Sequence, residues 1–149
     1  MLRLNLPPYD CKLSEDQTKI FDLIRKKFVE CTREEWVRQH FINYLCKHLG
    51  YPSSLVKVEF TIQYNRLAKR PDIVVYDRSA EPIVLVECKA PEVKINEEVF
   101  RQAAIYNKIV NAPYLVVTNG MEHFCAFQDY VQNKSQFLKE IPGFASIVK

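Results

Sequence analysis

Two short apolar runs, PDIVVYD at 71–77 and EPIVLVECKAP at 81–91, constrain this chain more than any other feature. Both are rich in β-branched residues, bounded by Pro, Asp and Glu, and too short for helices, so they read as strands joined by a tight loop. Neither alternates with polar residues between Ile73 and Tyr76 or between Ile83 and Val86. A sheet with one wet face has no use for such continuity, so both faces of these strands are expected to be covered. A loop centred between Ser79 and Ala80 pairs Ile73 with Val86 and Val75 with Val84, and a slip by one residue breaks that match. The same register sets Asp72 opposite Glu87. Alternation then puts Asp72, Val74, Tyr76, Ile83, Leu85, Glu87 and Lys89 on one side, with Cys88 on the other.

The rest of the chain supplies the covering layers. Ser14–Glu30 carries Ile20, Leu23, Ile24 and Phe28 at helical spacing and reads as a helix capped by Ser14. A second helix opens at Thr32, with Glu34 and Glu35 in its first turn, an apolar stripe of Val37, Phe41, Ile42, Leu45 and Leu49, and a stop at Gly50. Val56–Tyr64 alternates as a strand. A third helix spans about Asn96–Val110 through Val99, Ala103, Tyr106 and Val110. PYLVVTNG and MEHFCAFQD form a last pair of strands, with Asn119-Gly120 as the central residues of a type I′ turn. The expectation is one α/β domain over 1–149, a mixed central sheet of five strands flanked by helices. Its core is at about 33–130, after an N-terminal extension and helix over 1–31 and before a C-terminal helix or tail over 131–149.

Composition narrows the class. With 48% hydrophobic and 26% charged residues, 149 residues can enclose one real core. No stretch approaches a bilayer span, and MLRLNLPPYD lacks the apolar centre of a signal peptide, so the chain reads as cytoplasmic. Five cysteines without CxxC spacing suggest buried reduced thiols. The histidines form no HExxH or HxH pattern, and no GxxxxGK[ST] segment occurs, which argues against a zinc hydrolase and an ATP motor in this chain.

The chemistry concentrates at Asp72 and Glu87. Directly opposed carboxylates repel, and an apolar surround makes ionising both more expensive. Folding alone does not ask for this pair. A hard divalent cation resolves the conflict, and Lys89 then sets a cation or proton acceptor beside it. The blander alternative is a salt-bridged hairpin, Asp72 with Arg70 or Arg66 and Glu87 with Lys89.

The ordered set of EEWVRQ at 34–39, RPD at 70–72, ECKAP at 87–91, QAAIY at 102–106 and VVTNG at 116–120 resembles the PD-(D/E)xK nucleases. Within them it is similar to the N-terminal nuclease domain of type I restriction enzyme R subunits. The resemblance implies a restriction-endonuclease-like αβββαβ core. It further implies Mg²⁺, replaceable by Mn²⁺, held by Asp72, Glu87 and the Cys88 backbone carbonyl, with Lys89 as catalytic lysine. Gln102 and Tyr106 form the QxxxY motif that shapes the site. An acid on the first core helix is a further ligand of such sites. Glu34 extends the inward stripe toward Val37 and Phe41 while Glu35 points about 100° away, which favours Glu34.

The reaction so implied is hydrolysis of DNA phosphodiesters to a 5′-phosphate and a 3′-hydroxyl, with Lys89 acting as base or as electrostatic support. Arg66, Lys69 and Arg70, just before Asp72, are positioned to hold phosphates. DNA is the expected partner, with a homodimer or other restriction-system subunits beside it, and no membrane. Two readings from other classes compete: a catalytically silent nucleic-acid-binding or complex-assembly module, and a protein-interaction domain. Salt-sensitive DNA binding without cleavage marks the first, and absence of DNA binding marks the second.

Overall fold

The computed structural model describes residues 2–58, 62–64, 67–69 and 72–147. After an extended N-terminal strap come β1 (Lys19–Asp22) and β2 (Lys27–Glu30), then α1 (Arg33–Asn43), which runs on into a π-helical turn over Tyr44–His48. There follow β3 (Val56–Val58), β4 (Ile62–Tyr64), β5 (Leu67–Lys69), β6 (Ile73–Tyr76), β7 (Pro82–Cys88), α2 (Glu97–Val110), β8 (Tyr114–Thr118), β9 (His123–Asp129), β10 (Lys134–Leu138) and α3 (Phe144–Ile147). Six strands form one mixed sheet in the order β10-β9-β8-β7-β6-β3, parallel only where α2 carries the chain from β7 to β8. β1–β2 and β4–β5 are separate two-stranded ribbons.

The central register is the one the apolar runs predict: Ile73 faces Val86, Val74 faces Leu85 and Val75 faces Val84. A one-residue irregularity between Val75 and Tyr76 moves Tyr76 opposite Pro82. The loop is therefore closed one residue earlier, by Asp77, whose carboxylate accepts from the Ser79 and Glu81 N–H groups, with Ala80 at φ +63°. Both faces are covered, as continuous apolar strands require. Ile73, Val75, Val84 and Val86 pack under Trp36, Val37, Phe41, Ile42 and Leu45, while Val74, Leu85, Leu115 and Val117 pack with Ala103 of α2. Ile83, expected on the Leu85 side, joins the larger α1 cluster next to the register irregularity.

Both long helices begin on side-chain caps, the one at Thr32 where the sequence places it and the one at Asn96 seen in the structure. The Thr32 hydroxyl accepts from Glu35 N–H, and the Asn96 side chain accepts from Val99 N–H. Gly50 at φ +77° turns the chain after the π turn, and Asn111 at φ +66° ends α2.

Four sequence expectations need correction. The segment 14–30 is a hairpin instead of a helix. Asp16 gathers the Ser14 and Thr18 hydroxyls, and Asp22 accepts from the Ile24 and Arg25 N–H groups, while Gln17 and Lys26 adopt left-handed backbone that no helix interior contains. Val56–Tyr64 contains two separate strand segments, β3 in the main sheet and β4 in a ribbon with β5. The 131–149 tail contributes β10, whose exposed KSQFL carries no period-two apolar signal, so the sheet has six strands and not five. The β8–β9 turn is centred on Gly120-Met121, since Asn119 N–H donates to the Glu122 carbonyl. Gly120 alone has positive φ, which a type I′ turn would require at both central positions.

Gly120 also lets the N-terminal strap approach. A Cβ there would lie 2.8 Å from Leu4 Cδ2 and 3.1 Å from Val37 Cγ2, whereas a Cβ on Gly50 would meet nothing. Both sites have positive φ, so Gly50→Ala measures backbone strain alone, about 1 kcal/mol, and Gly120→Ala is expected to cost about 2–3 kcal/mol. Urea unfolding of the two variants checks this, and equal losses would mean that the strap yields freely.

Candidate active site at the end of the central hairpin

The site is built where β6 and β7 leave the apolar part of the sheet, between the start of α1 and the first turns of α2. Asp72 is buried immediately before β6. Its Oδ2 accepts from the Cys88 backbone N–H at 2.8 Å and its Oδ1 from Arg38 Nη2 at 2.7 Å. Glu87, near the end of β7, has one buried oxygen, Oε2, that receives no hydrogen bond. Its other oxygen lies 3.6 Å from Lys89 Nζ. Lys89 is partly exposed, and its backbone N–H donates to the Thr118 carbonyl across the parallel β7–β8 pair.

That last bond orients another group. No peptide in the described chain is cis, so the carbonyl of the Cys88–Lys89 peptide points opposite to its N–H, away from β8 and toward the Asp72 side. The Cys88 thiol is buried on the other face, among the α1 cluster. Burial, and then the Asp72 carboxylate beside it, pushes its pKa well above the usual thiol value, so it is inert as a nucleophile.

The electrostatics are those of crowded acids. Burial, reinforced by the neighbouring Asp72 charge and opposed by Lys89, pushes the Glu87 carboxyl up to about 8. Glu34 is raised in the same direction, by burial and then by Asp72, with Arg38 and Lys89 pulling it down. Glu34 therefore shares the field of Asp72 and Lys89, although its side chain is 45% exposed. The inward-stripe reading of α1 is corrected here: Glu35 is the buried acid. It is committed to other partners, accepting from Arg25 and Arg38 at Oε1 and from Gln39 at Oε2.

Gln102 is exposed on α2 and donates to Glu98 Oε1 at 3.0 Å. With Glu87, Lys89, Glu98, Val99 and Ala103 it lines a small cavity of about 100 Å³. Tyr106 lies one turn further along α2, and its side chain is outside the described part of the structure. Of the three basic residues expected to hold phosphate, Arg66 and Arg70 lie outside the described residues. Lys69 ends β5, with its side chain outside the description too. Leu67–Lys69 itself is paired as a strand with Ile62–Tyr64.

Sequence reasoning missed Arg38. It pairs with Glu35 at 3.0 Å and Asp72 at 2.7 Å, and lies 3.6 Å from Glu34. The available signal was its i,i+4 spacing from Glu34 on the helix that faces the strand ends. Among the described residues no three His, Cys, Asp or Glu side chains converge as a ready-made metal cluster. The Arg38 guanidinium contacts both Asp72, at 2.7 Å, and Glu34, at 3.6 Å. The remaining donors do suit a hard cation: a buried Glu87 oxygen with no partner, the Asp72 carboxylate and a main-chain carbonyl aimed to the same side.

Since Glu87 is harder to ionise folded than unfolded, its neutral form favours the fold, and that contribution fades as pH rises from the ordinary carboxylate range through about 8. Glu87→Gln, neutral at every pH, is expected to match wild type near pH 5 and to exceed it by ~1–3 kcal/mol near pH 8.5 without added metal. Urea titrations of both proteins at the two pH values check this, and a gap that does not widen with pH overturns it.

The family model of the type I restriction enzyme R protein N terminus matches residues 33–142. Among solved structures, the chain is similar to one described as an HsdR-subunit fragment of a type I restriction enzyme from Vibrio vulnificus YJ016, with a TM-score of 0.54 and 20% identity. The match covers 78% of this chain and 24% of that one, so the likeness is one of fold and spans about a quarter of the solved relative. No curated protein matches the chain.

Proposed function

Because the chain belongs to the family of the type I restriction enzyme R protein N terminus, we propose that it is a Mg²⁺-dependent deoxyribonuclease domain, with Mn²⁺ able to substitute, that hydrolyses DNA phosphodiester bonds. The observation that carries the reading is the juxtaposition of Asp72 with Glu87, one oxygen of which is buried without a partner, and with Lys89 at 3.6 Å from the other. Packing gains nothing from an unpartnered carboxylate oxygen. A phosphodiesterase gains a seat for a cation.

Asp72, Glu87 and the Cys88 carbonyl would hold the ion, with Glu34 at the margin. When bound, the ion supplies Lewis-acid stabilisation of the phosphate and a more acidic attacking water. The Cys88 N–H fixes the Asp72 carboxylate from behind, leaving Oδ1 for exchange. Lys89 Nζ, partly exposed beside Glu87, is placed to orient the water or hold its proton. Gln102 borders the same cavity as Lys89 and offers an amide to a phosphate or to the lysine. Tyr106 is one turn beyond it. Lys69, Arg66 and Arg70, next to Asp72 in the chain, would carry the DNA backbone toward the site. Other restriction-system subunits are the partners this role implies.

A second reading, a DNA-binding module that no longer cuts, is favoured by the ion pair of Asp72 with Arg38. Supercoiled plasmid separates the two. Cleavage dependent on Mg²⁺ or Mn²⁺ is expected, falling about 10²-fold or more in Asp72→Asn and Lys89→Ala proteins that keep the wild-type circular dichroism. Asn preserves an acceptor for the Cys88 N–H. Salt-sensitive DNA retention with no nicking in either metal would establish the silent module instead.

A further inference from the structure

Arg38 touches three acids of this region, Glu34, Glu35 and Asp72, and its attachments are unequal. Nη1 donates to Glu35 Oε1 at 3.0 Å, Nη2 donates to Asp72 Oδ1 at 2.7 Å and lies 3.6 Å from Glu34 Oε1, and Nε is buried with no partner. Glu35 cannot follow if the guanidinium moves. The Thr32 cap holds its backbone, and its carboxylate is also gripped by Arg25 at 3.1 Å and Gln39 at 3.0 Å. Asp72 is likewise fixed on its other side by the Cys88 N–H. The arm thus has a rigid anchor at Glu35 and a single releasable bond at Asp72 Oδ1.

The geometry points to Arg38 as a resident counter-cation of Asp72, a positioning residue that keeps the acids convergent before metal arrives and that a divalent ion must push aside. This inference rests on the metal-dependent reading above. A guanidinium within hydrogen-bond distance of a ligand oxygen competes with the ion for that oxygen and repels its charge. The partner left behind is not stranded, because Glu35 retains the displaced guanidinium. Arg38 therefore lowers metal affinity while raising the stability of the metal-free protein.

Isothermal titration of the whole metal-free chain with Mn²⁺, without DNA, tests this apart from any activity. Arg38→Gln is expected to bind Mn²⁺ about tenfold more tightly than wild type, and to unfold at lower temperature when metal-free. Arg38→Lys keeps the charge without the two-pronged reach, and about threefold tightening is expected. Should Arg38→Gln fail to give the wild-type circular dichroism, Arg38→Lys decides on the same criterion. Unchanged or weaker Mn²⁺ binding in the folded variant overturns the role of Arg38 and leaves the nuclease reading standing. No Mn²⁺ binding by wild type or either variant overturns the metal-dependent reading, and this one with it.

Discussion

The pairing of β6 with β7 is the constraint on which everything else in this molecule depends. Matched apolar residues, Ile73 with Val86 and Val75 with Val84, lock two strands that are buried on both faces. Displacing one strand by a single residue would turn every one of those side chains to the wrong layer. The same lock brings Asp72 and Glu87 together just beyond the ladder. The chain thus uses the strongest packing it has to hold two groups that repel each other, and only strong packing could do so.

Around that forced encounter the structure arranges its charges in series. Asp22 holds Arg25, Arg25 and Arg38 share Glu35, and Arg38 reaches Asp72. Each acid in the series meets a cation, but at the far end Lys89 reaches only one oxygen of Glu87 and the other stays buried and bare. The imbalance lies at the point where an ion would dock, and elsewhere the compensation is close. A site organised this way is kept ready by its neighbours instead of being assembled by its ligand.

The parts of this fold that could be read from the chain were those specified by long, redundant patterns. The central hairpin, the Thr32-capped start of α1 and the crossover helix each rest on several residues that agree. The N-terminal hairpin was misread because Ile20, Leu23, Ile24 and Phe28 satisfy helical spacing over only a few residues, while two aspartate-centred turns decide the outcome through bonds to nearby N–H groups. β10 was invisible because an exposed edge strand has no apolar face to announce it. At the site, strand alternation could place Asp72, Glu87 and Lys89 near one another, since strand neighbours follow from register. Arg38 could not be placed the same way. A long side chain on a helix can reach several partners, and which one it takes depends on the crossing of α1 over the strand ends.

The segment recognised by family likeness starts at Arg33, yet the support of Asp72 starts further upstream. Arg25 belongs to the β1–β2 hairpin, and Ile20 of the same hairpin is fully enclosed in the α1 core. A fragment trimmed to the recognisable segment would keep every residue with a chemical task and still lose one of the two arginines on Glu35. Glu35 would then keep Arg38 and Gln39 only, and the heavier demand on Arg38 would loosen that arginine's hold on Asp72. The heritable signature and the mechanical unit have different borders here, and the border that matters to Asp72 lies at least eight residues earlier, at Arg25 or before.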